Sequence, residues 1–157
     1  MLPTNSYKDK RYNTGIEKCE LCKSVDNQRE DVVHLFNSCS FFRKDREVLV
    51  MDLIEILKKF SSSTSRDRLY TLWIFNIKFN PITSEIQLMN RNTILGDVEY
   101  EKIAGTFGIM TFLFMKTALE LEIQDISTCF RECQIRLHRY ITLVWKRRNA
   151  KVHQRQD

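Results

Sequence analysis

The chain has 157 residues, enough for one domain with its own core or for a short metal-stapled module followed by a helical domain. Hydrophobic residues make up 43% and charged residues 29%, with four Gly and two Pro, which excludes a disordered or collagen-like chain and favours helices. The formal net charge of +5 is unevenly distributed: residues 131–155 contain eight Lys and Arg and one acidic residue, a net of +7, which leaves −2 for the other residues.

Composition also bears on the compartment. The longest apolar stretch, residues 103–115, is shorter than the roughly 20 residues that a membrane-spanning helix needs, and the N-terminus has no secretory signal. Five cysteines cannot all pair within one chain. In a reducing compartment the close pair Cys19 and Cys22 is better interpreted as metal-binding or redox-active than as a disulfide. We therefore expect an intracellular protein, nuclear or cytoplasmic, that is not secreted and has no membrane partner.

The segment from Cys19 to Cys39 has too few hydrophobic residues to form a core alone, so another interaction must stabilise it. Asn27, with Glu30 three residues later, resembles a capping box and predicts a short helix that runs through His34.

Four residues in this segment have the spacing of a zinc site, Cys19-x2-Cys22-x11-His34-x4-Cys39. Two cysteines separated by two residues can bind one metal from a tight turn, and a later His/Cys pair supplies the other two tetrahedral ligands. On a continuous helix His34 and Cys39 would lie about 140° apart, so the helix must end near residues 37–38. The pattern predicts one closed, structural Zn²⁺ site.

Two other interpretations of these residues stay open at this point. The four residues could be unrelated core cysteines and a surface histidine. Alternatively, Cys39 and His34 could be a catalytic nucleophile and base, but the sequence shows no orienting third group and no oxyanion site. We therefore expect that the protein is not an enzyme.

The later elements are mainly helical. Apolar residues recur at helical spacing in 42–60, which a polar linker at 61–65 follows. Residues 66–79 are ambiguous, because their apolar residues fit a helix but also alternate as in a strand, and we favour the helix. Residues 81–96 are interpreted as a polar connection, and 97–121 as a mostly buried helix weakened by two glycines.

The last helix has the clearest pattern. Its apolar seam is spaced by four, three, four, three and four residues, at Ile126, Phe130, Cys133, Leu137, Tyr140 and Val144. Four basic residues lie off this seam and are the predicted phosphate contacts for RNA or DNA: Arg139, Lys146, Arg147 and Lys151. The alternative is a solvated helix face or an acidic protein partner. Cys129 and Cys133 are expected to be core thiols, Trp145 a core residue, and Met110 a packing residue.

These elements predict a mainly α protein, with a small CCHC zinc-stapled module at residues 1–45 and an α-helical domain at 46–157 that ends in a basic helix.

Several motifs together resemble a known family. Cys19-Glu-Leu-Cys22, then Glu30-Asp-Val-Val-His34 and Cys39, is similar to the zinc-binding segment downstream of the polymerase in non-LTR (LINE-type) retrotransposon reverse transcriptases. Arg46 follows as in that pattern. Residues 3–5 are similar to the Pro-x-Asn that precedes it, and residues 145–149 to the Trp-Lys-x-Arg-Asn of its tail.

The departures from this family restrict the expected role. The family's polymerase uses a Tyr-x-Asp-Asp motif, and this sequence contains no Asp-Asp. It also lacks the Pro-Asp and Asp/Glu-x-Lys cluster of the nuclease that some elements carry. The resemblance therefore implies a non-catalytic accessory region that binds RNA template or target DNA. The runner-up is a zinc-ordered helical module that binds a protein partner and no nucleic acid.

Overall fold

The protein is mainly helical, which confirms the predicted fold class. A computed structural model describes residue 4, residues 18–22, 29–61 and 104–153, and the backbone of two short strands. Along the chain, a π-helical turn (His34–Ser38) and a 3₁₀ turn (Ser40–Phe42) precede helix α1 (Arg43–Phe60), strands β1 (Ile77–Asn80) and β2 (Glu85–Leu88), and helices α2 (Phe112–Glu120) and α3 (Ile126–His153). No helix in the described part of the chain is long and apolar enough to cross a membrane.

Helices α1 and α3 pack against each other and form the centre of the core. Leu49, Leu53 and Leu57 are buried at four-residue intervals on α1, as expected for one helix face. The predicted seam of α3 is confirmed, since its last four members are buried: Cys133, Leu137, Tyr140 and Val144. Each such aliphatic side chain stabilises the fold by about 1.5–3 kcal/mol through removal from water.

The predicted helix over 97–121 is wrong in the part that the structure describes. Residues 104–106 are helical, but Gly108 has φ +78 and α2 begins only at Phe112. The side chain of Thr111 caps α2 by accepting a hydrogen bond from the backbone N–H of Phe114, at 3.1 Å. The break therefore has a local cause, a residue in the left-handed region followed by a new helix cap.

Gly108 is also where the chain comes closest to α3. A Cβ at this position would lie 2.6 Å from Nε2 of His138 and 3.0 Å from Cγ of Gln134. The amide of Gln134 donates a hydrogen bond of 2.7 Å to the carbonyl oxygen of Gly108. Glycine is thus required both by the backbone conformation and by the close approach.

The two strands form an antiparallel hairpin, in which Ile77 pairs with Leu88 and Asn80 with Glu85. The helix favoured for residues 66–79 is wrong at 77–79, where the alternating apolar pattern indicated the strand. The polar connection expected over 81–96 is wrong at 85–88. The remaining residues of both segments lie outside the described part of the chain.

The buried hydrophobic residues form one cluster, to which Cys19, Cys22 and Phe36 belong together with residues of α1 and α3. The predicted boundary between residues 45 and 46 lies inside α1. The division into two units with separate stability stays a prediction.

Candidate metal centre

Three cysteines and one histidine converge at the N-terminal end of the fold. One ligand atom from each of Cys19, Cys22, His34 and Cys39 lies within 4.8 Å of all the others. Sγ of Cys19 and Sγ of Cys39 are 3.8 Å apart, and Sγ of Cys22 lies 3.1 Å from Nε2 of His34. All four residues are buried, at 0–3% exposure. This arrangement has the predicted ligand composition and could hold one metal ion.

The two halves of the site come from different local structures. Cys19 precedes a turn at residues 20–22, and Cys22 is the last residue of this turn. An antiparallel bridge between Lys18 and Arg29 joins the chain on either side. A turn with two intervening residues lets two thiols face the same point.

The helical segment that carries His34 begins at Val32, later than predicted, and Asp31 caps it. Asn27, the predicted cap, lies outside the described residues. Oδ1 of Asp31 accepts a hydrogen bond of 2.8 Å from the backbone N–H of His34. The carboxylate of Glu30, predicted to complete a capping box, instead forms an ion pair with Arg148 of α3.

A π-helical turn lets the side chains of both His34 and Cys39 reach the site although the two residues are five positions apart. The backbone N–H of Cys39 donates to the carbonyl of His34 at 2.7 Å, an i to i+5 bond that widens the turn. Cys39 itself has extended backbone angles, φ −60 and ψ 123. The helix therefore ends at Ser38, as the spacing predicted, and both side chains reach the site.

Ser38 orients the imidazole of His34. Its hydroxyl lies 3.4 Å from Nδ1 of His34 and donates to the carbonyl oxygen of the same residue, also at 3.4 Å. Because the Ser38 hydroxyl donates its hydrogen bond to the carbonyl oxygen, its own oxygen can accept a hydrogen bond from Nδ1–H of His34. This tautomer leaves the lone pair of Nε2 directed at the sulfurs, which is the form that binds a metal.

The thiols of Cys19 and Cys39 are hydrogen-bonded to each other. The hydrogen bond from Cys39 lowers the pKa of Cys19 to about 4, and the same contact raises the pKa of Cys39 above its usual value, because its proton is held between two sulfurs. The first proton of the pair is thus lost easily and the second is retained. A cation between the sulfurs would take the place of that second proton.

The metal site is fastened to α3 by a buried ion pair. Glu30, four residues before His34, accepts hydrogen bonds from the guanidinium of Arg148 at 2.7 and 3.3 Å. The two side chains are 0% and 2% exposed. Arg148 also donates to Oδ1 of Asn149 at 3.1 Å and lies over the ring of Trp145. Two motifs that the sequence presented separately, the acidic residue and the basic tail, form one contact.

Two further contacts hold the π-helical turn. The hydroxyl of Tyr140 on α3 donates to the carbonyl oxygen of Phe36. The hydroxyl of Thr106 donates to Oδ1 of Asn37 at 2.9 Å. Burial raises the pKa of Tyr140 above its usual value, so its hydroxyl stays a hydrogen-bond donor. Sequence patterns identified Tyr140 only as a member of the apolar seam.

The four basic residues predicted to bind nucleic acid are all exposed on α3. Arg139 and Lys146, seven residues apart, project to nearly the same side, about 20° from each other. Arg147 faces α1, where its guanidinium donates to both carboxylate oxygens of Asp45 at 2.9 Å. Lys151 is exposed near the end of the helix.

The second pair of cysteines is part of the core. Cys129 and Cys133 are both 0% exposed, and a hydrogen bond from Cys133 lowers the pKa of Cys129. His138 lies on another face, against Gly108. Among the described residues, the group at Cys19, Cys22, His34 and Cys39 is the one cluster with three or more metal-ligand side chains. The expected role of the second pair as core thiols is confirmed.

No protein-family model, curated protein or solved structure shows significant similarity to this chain. The resemblance to the zinc-binding segment of LINE-type reverse transcriptases therefore stays a prediction. The function has to be argued from the four converging ligands and from the basic face of α3.

Proposed function

We propose that Cys19, Cys22, His34 and Cys39 bind one Zn²⁺, and that the chain is a non-catalytic nucleic-acid-binding module of the kind that follows the polymerase in LINE-type reverse transcriptases. The convergence of the four buried ligand atoms carries this proposal. The metal would order the N-terminal segment, and α3 would supply the phosphate contacts.

The donor set and its geometry support zinc. Thiolates bind zinc at about 2.3 Å, so the edge of a tetrahedron of sulfurs is about 3.8 Å. The separation of the Cys19 and Cys39 sulfurs is 3.8 Å. Three soft sulfur ligands and one imidazole favour zinc over magnesium or calcium, which prefer oxygen ligands.

Burial of the site supports a structural role rather than catalysis. Four protein ligands complete a tetrahedron and leave no open position for a substrate or an activated water. The ring nitrogen of His34 lies nearest to Cys22, whereas Cys39 contacts Cys19. This pairing differs from the Cys39–His34 dyad that a catalytic interpretation requires.

The charge of α3 supports nucleic acid as the partner. The sequence contains no Asp or Glu between residues 133 and 153. Among the described residues, Arg139, Lys146 and Lys151 are exposed and have no ion-pair partner. When a nucleic acid binds to a cationic helix, it releases counterions, which makes the affinity strongly salt-dependent.

A salt titration tests this proposal. Binding of RNA or DNA is measured for the metal-loaded wild type and for a variant in which four residues are replaced by Gln: Arg139, Lys146, Arg147 and Lys151. We expect the slope of log affinity against log salt to fall by about one unit per lost phosphate contact, about equally for unrelated sequences. Because Arg147 is paired with Asp45, a triple variant that retains it should lose most of the same affinity.

The matched control replaces three exposed basic residues of α1, namely Arg43, Lys44 and Lys58. This control removes as much positive charge as the triple variant but leaves α3 intact, and its effect on the slope should be clearly smaller. Equal slopes for the wild type and the quadruple variant, with circular dichroism showing that the variant folds, would refute α3 as the binding surface. Binding that does not depend on salt would favour the protein-interaction module.

A further inference from the structure

A group of apolar side chains is exposed where the chain runs alongside α3. Ile109, Met110 and Phe112 follow Gly108 in sequence, and all three are exposed. Phe112 is 72% exposed, which is high for an aromatic residue in the first turn of a helix. The prediction that Met110 packs inside the protein is wrong. Exposed apolar groups of this kind mark binding surfaces more often than isolated ones do.

The contacts on either side place Phe112 along the first half of α3. Gly108 lies against Gln134 and His138. The ring of Phe114 contacts the ring of Phe130 edge-on, with centroids 4.9 Å apart. The segment 108–114 therefore runs along α3 between residues 138 and 130, and Phe112 lies at its exposed edge.

The neighbouring face of α3 is basic and contains one exposed apolar residue. Arg131, Ile135 and Arg139 are four residues apart and so lie on the same side of the helix. All three are exposed. The two arginines are separated by about 12 Å along the helix axis. We call Phe112, Ile135, Arg131 and Arg139 the Phe112 surface.

Acidic residues are missing from the sequences that form this surface. Residues 104–119 contain no Asp or Glu, and neither do residues 133–153. The one acidic residue near Arg131, Glu132, forms an ion pair with Lys59 of α1 at 3.1 Å. An exposed aromatic ring beside cations without acidic neighbours is complementary to a polyanion that also presents flat apolar groups.

We propose that the Phe112 surface binds single-stranded nucleic acid, with an unpaired base stacked on the ring of Phe112 and the backbone phosphates at Arg131 and Arg139. This inference rests on the proposed nucleic-acid-binding function and specifies the form of the ligand. Every base has a π-face, so stacking on an exposed aromatic residue tolerates any sequence. In a duplex the faces of the bases are covered by their neighbours, so they are not available to the ring.

The test compares an unstructured oligopyrimidine strand with a blunt-ended duplex of equal length, using fluorescence anisotropy at one salt concentration. The variant is Phe112→Ala, and Phe112→Trp retains a stacking ring. Leu119→Ala is the matched control, because Leu119 is 69% exposed and lies about 10 Å further along α2. We expect Phe112→Ala to weaken single-strand binding about tenfold, Phe112→Trp to retain it, and Leu119→Ala to leave it unchanged.

The outcomes separate this inference from the proposed function. If the wild type binds neither oligonucleotide, the proposed nucleic-acid function fails and this inference fails with it. If the wild type binds but Phe112→Ala and Leu119→Ala are equal, the Phe112 surface is refuted while the basic helix stands. Equal losses for strand and duplex in Phe112→Ala would also refute stacking. An unchanged melting temperature checks that each variant folds.

Discussion

Replacement of Arg148 by Met should destabilise the metal-loaded protein by about 3–5 kcal/mol, because it leaves a buried carboxylate without its partner. Glu30 is 0% exposed, and its two oxygens lie 2.7 and 3.3 Å from the guanidinium nitrogens. Folded domains are stable by only about 5–15 kcal/mol, so this single change removes a large share of the total.

The neighbouring residue provides the control. Arg147 forms an ion pair with Asp45 at similar distances, with one guanidinium nitrogen donating to both carboxylate oxygens, but its side chain is 55% exposed. Exposed ion pairs contribute about 0–1 kcal/mol, so Arg147→Met should have a small effect. A double variant, Glu30→Leu with Arg148→Met, should recover much of the lost stability, because apolar residues can replace a buried ion pair.

Urea denaturation, followed by circular dichroism with zinc in excess, measures all of these free energies of unfolding. The double-mutant cycle then gives the coupling between Glu30 and Arg148. The reasoning is refuted if Arg148→Met costs no more than Arg147→Met. It is also refuted if the double variant is less stable than Arg148→Met alone, since the penalty would then not come from an unpaired charge.

Two further predictions concern the metal and the break before α2. Chelation of the metal should unfold residues 15–45 while much of the helical circular dichroism signal persists, because α1 and α3 pack on each other. Loss of nearly all helicity would show that the protein unfolds as one cooperative unit and that the predicted domain boundary is wrong. Gly108→Ala should destabilise the protein by about 1–2 kcal/mol because of the positive φ alone. Adding His138→Ala should recover only the stability lost through the contact with Nε2 of His138. Chemical denaturation measures both effects. A stabilised Gly108→Ala protein would contradict that account.

The long helices could be predicted because their periodicity is local. The apolar spacing specified the extent of α1 and the buried face of α3. The break at Gly108 was not predicted, since a helix with two glycines and a helix that ends at one of them look alike in sequence. The π-helical turn was predicted only in part. The spacing of His34 and Cys39 required the helix to end, but it did not reveal the wider turn.

The sequence did not predict which charged residues pair with each other across the fold. Continuing the alternating spacing of the α3 seam beyond Val144 leads to Arg147, three residues on, whereas the buried residue is Arg148, four residues on. The choice depends on carboxylates far away in the chain: Glu30 is buried opposite Arg148, and Asp45 is accessible beside Arg147. Local periodicity permits both arginines at that position, and only the folded partners decide between them.

Elemental analysis of purified, metal-replete protein tests the central claim most directly. The wild type should contain one zinc per chain, Cys19→Ser with Cys22→Ser should contain none, and Cys129→Ser with Cys133→Ser, which alters buried thiols outside the site, should retain one. A wild type without zinc, or zinc retained when Cys19 and Cys22 are both replaced, would contradict the account.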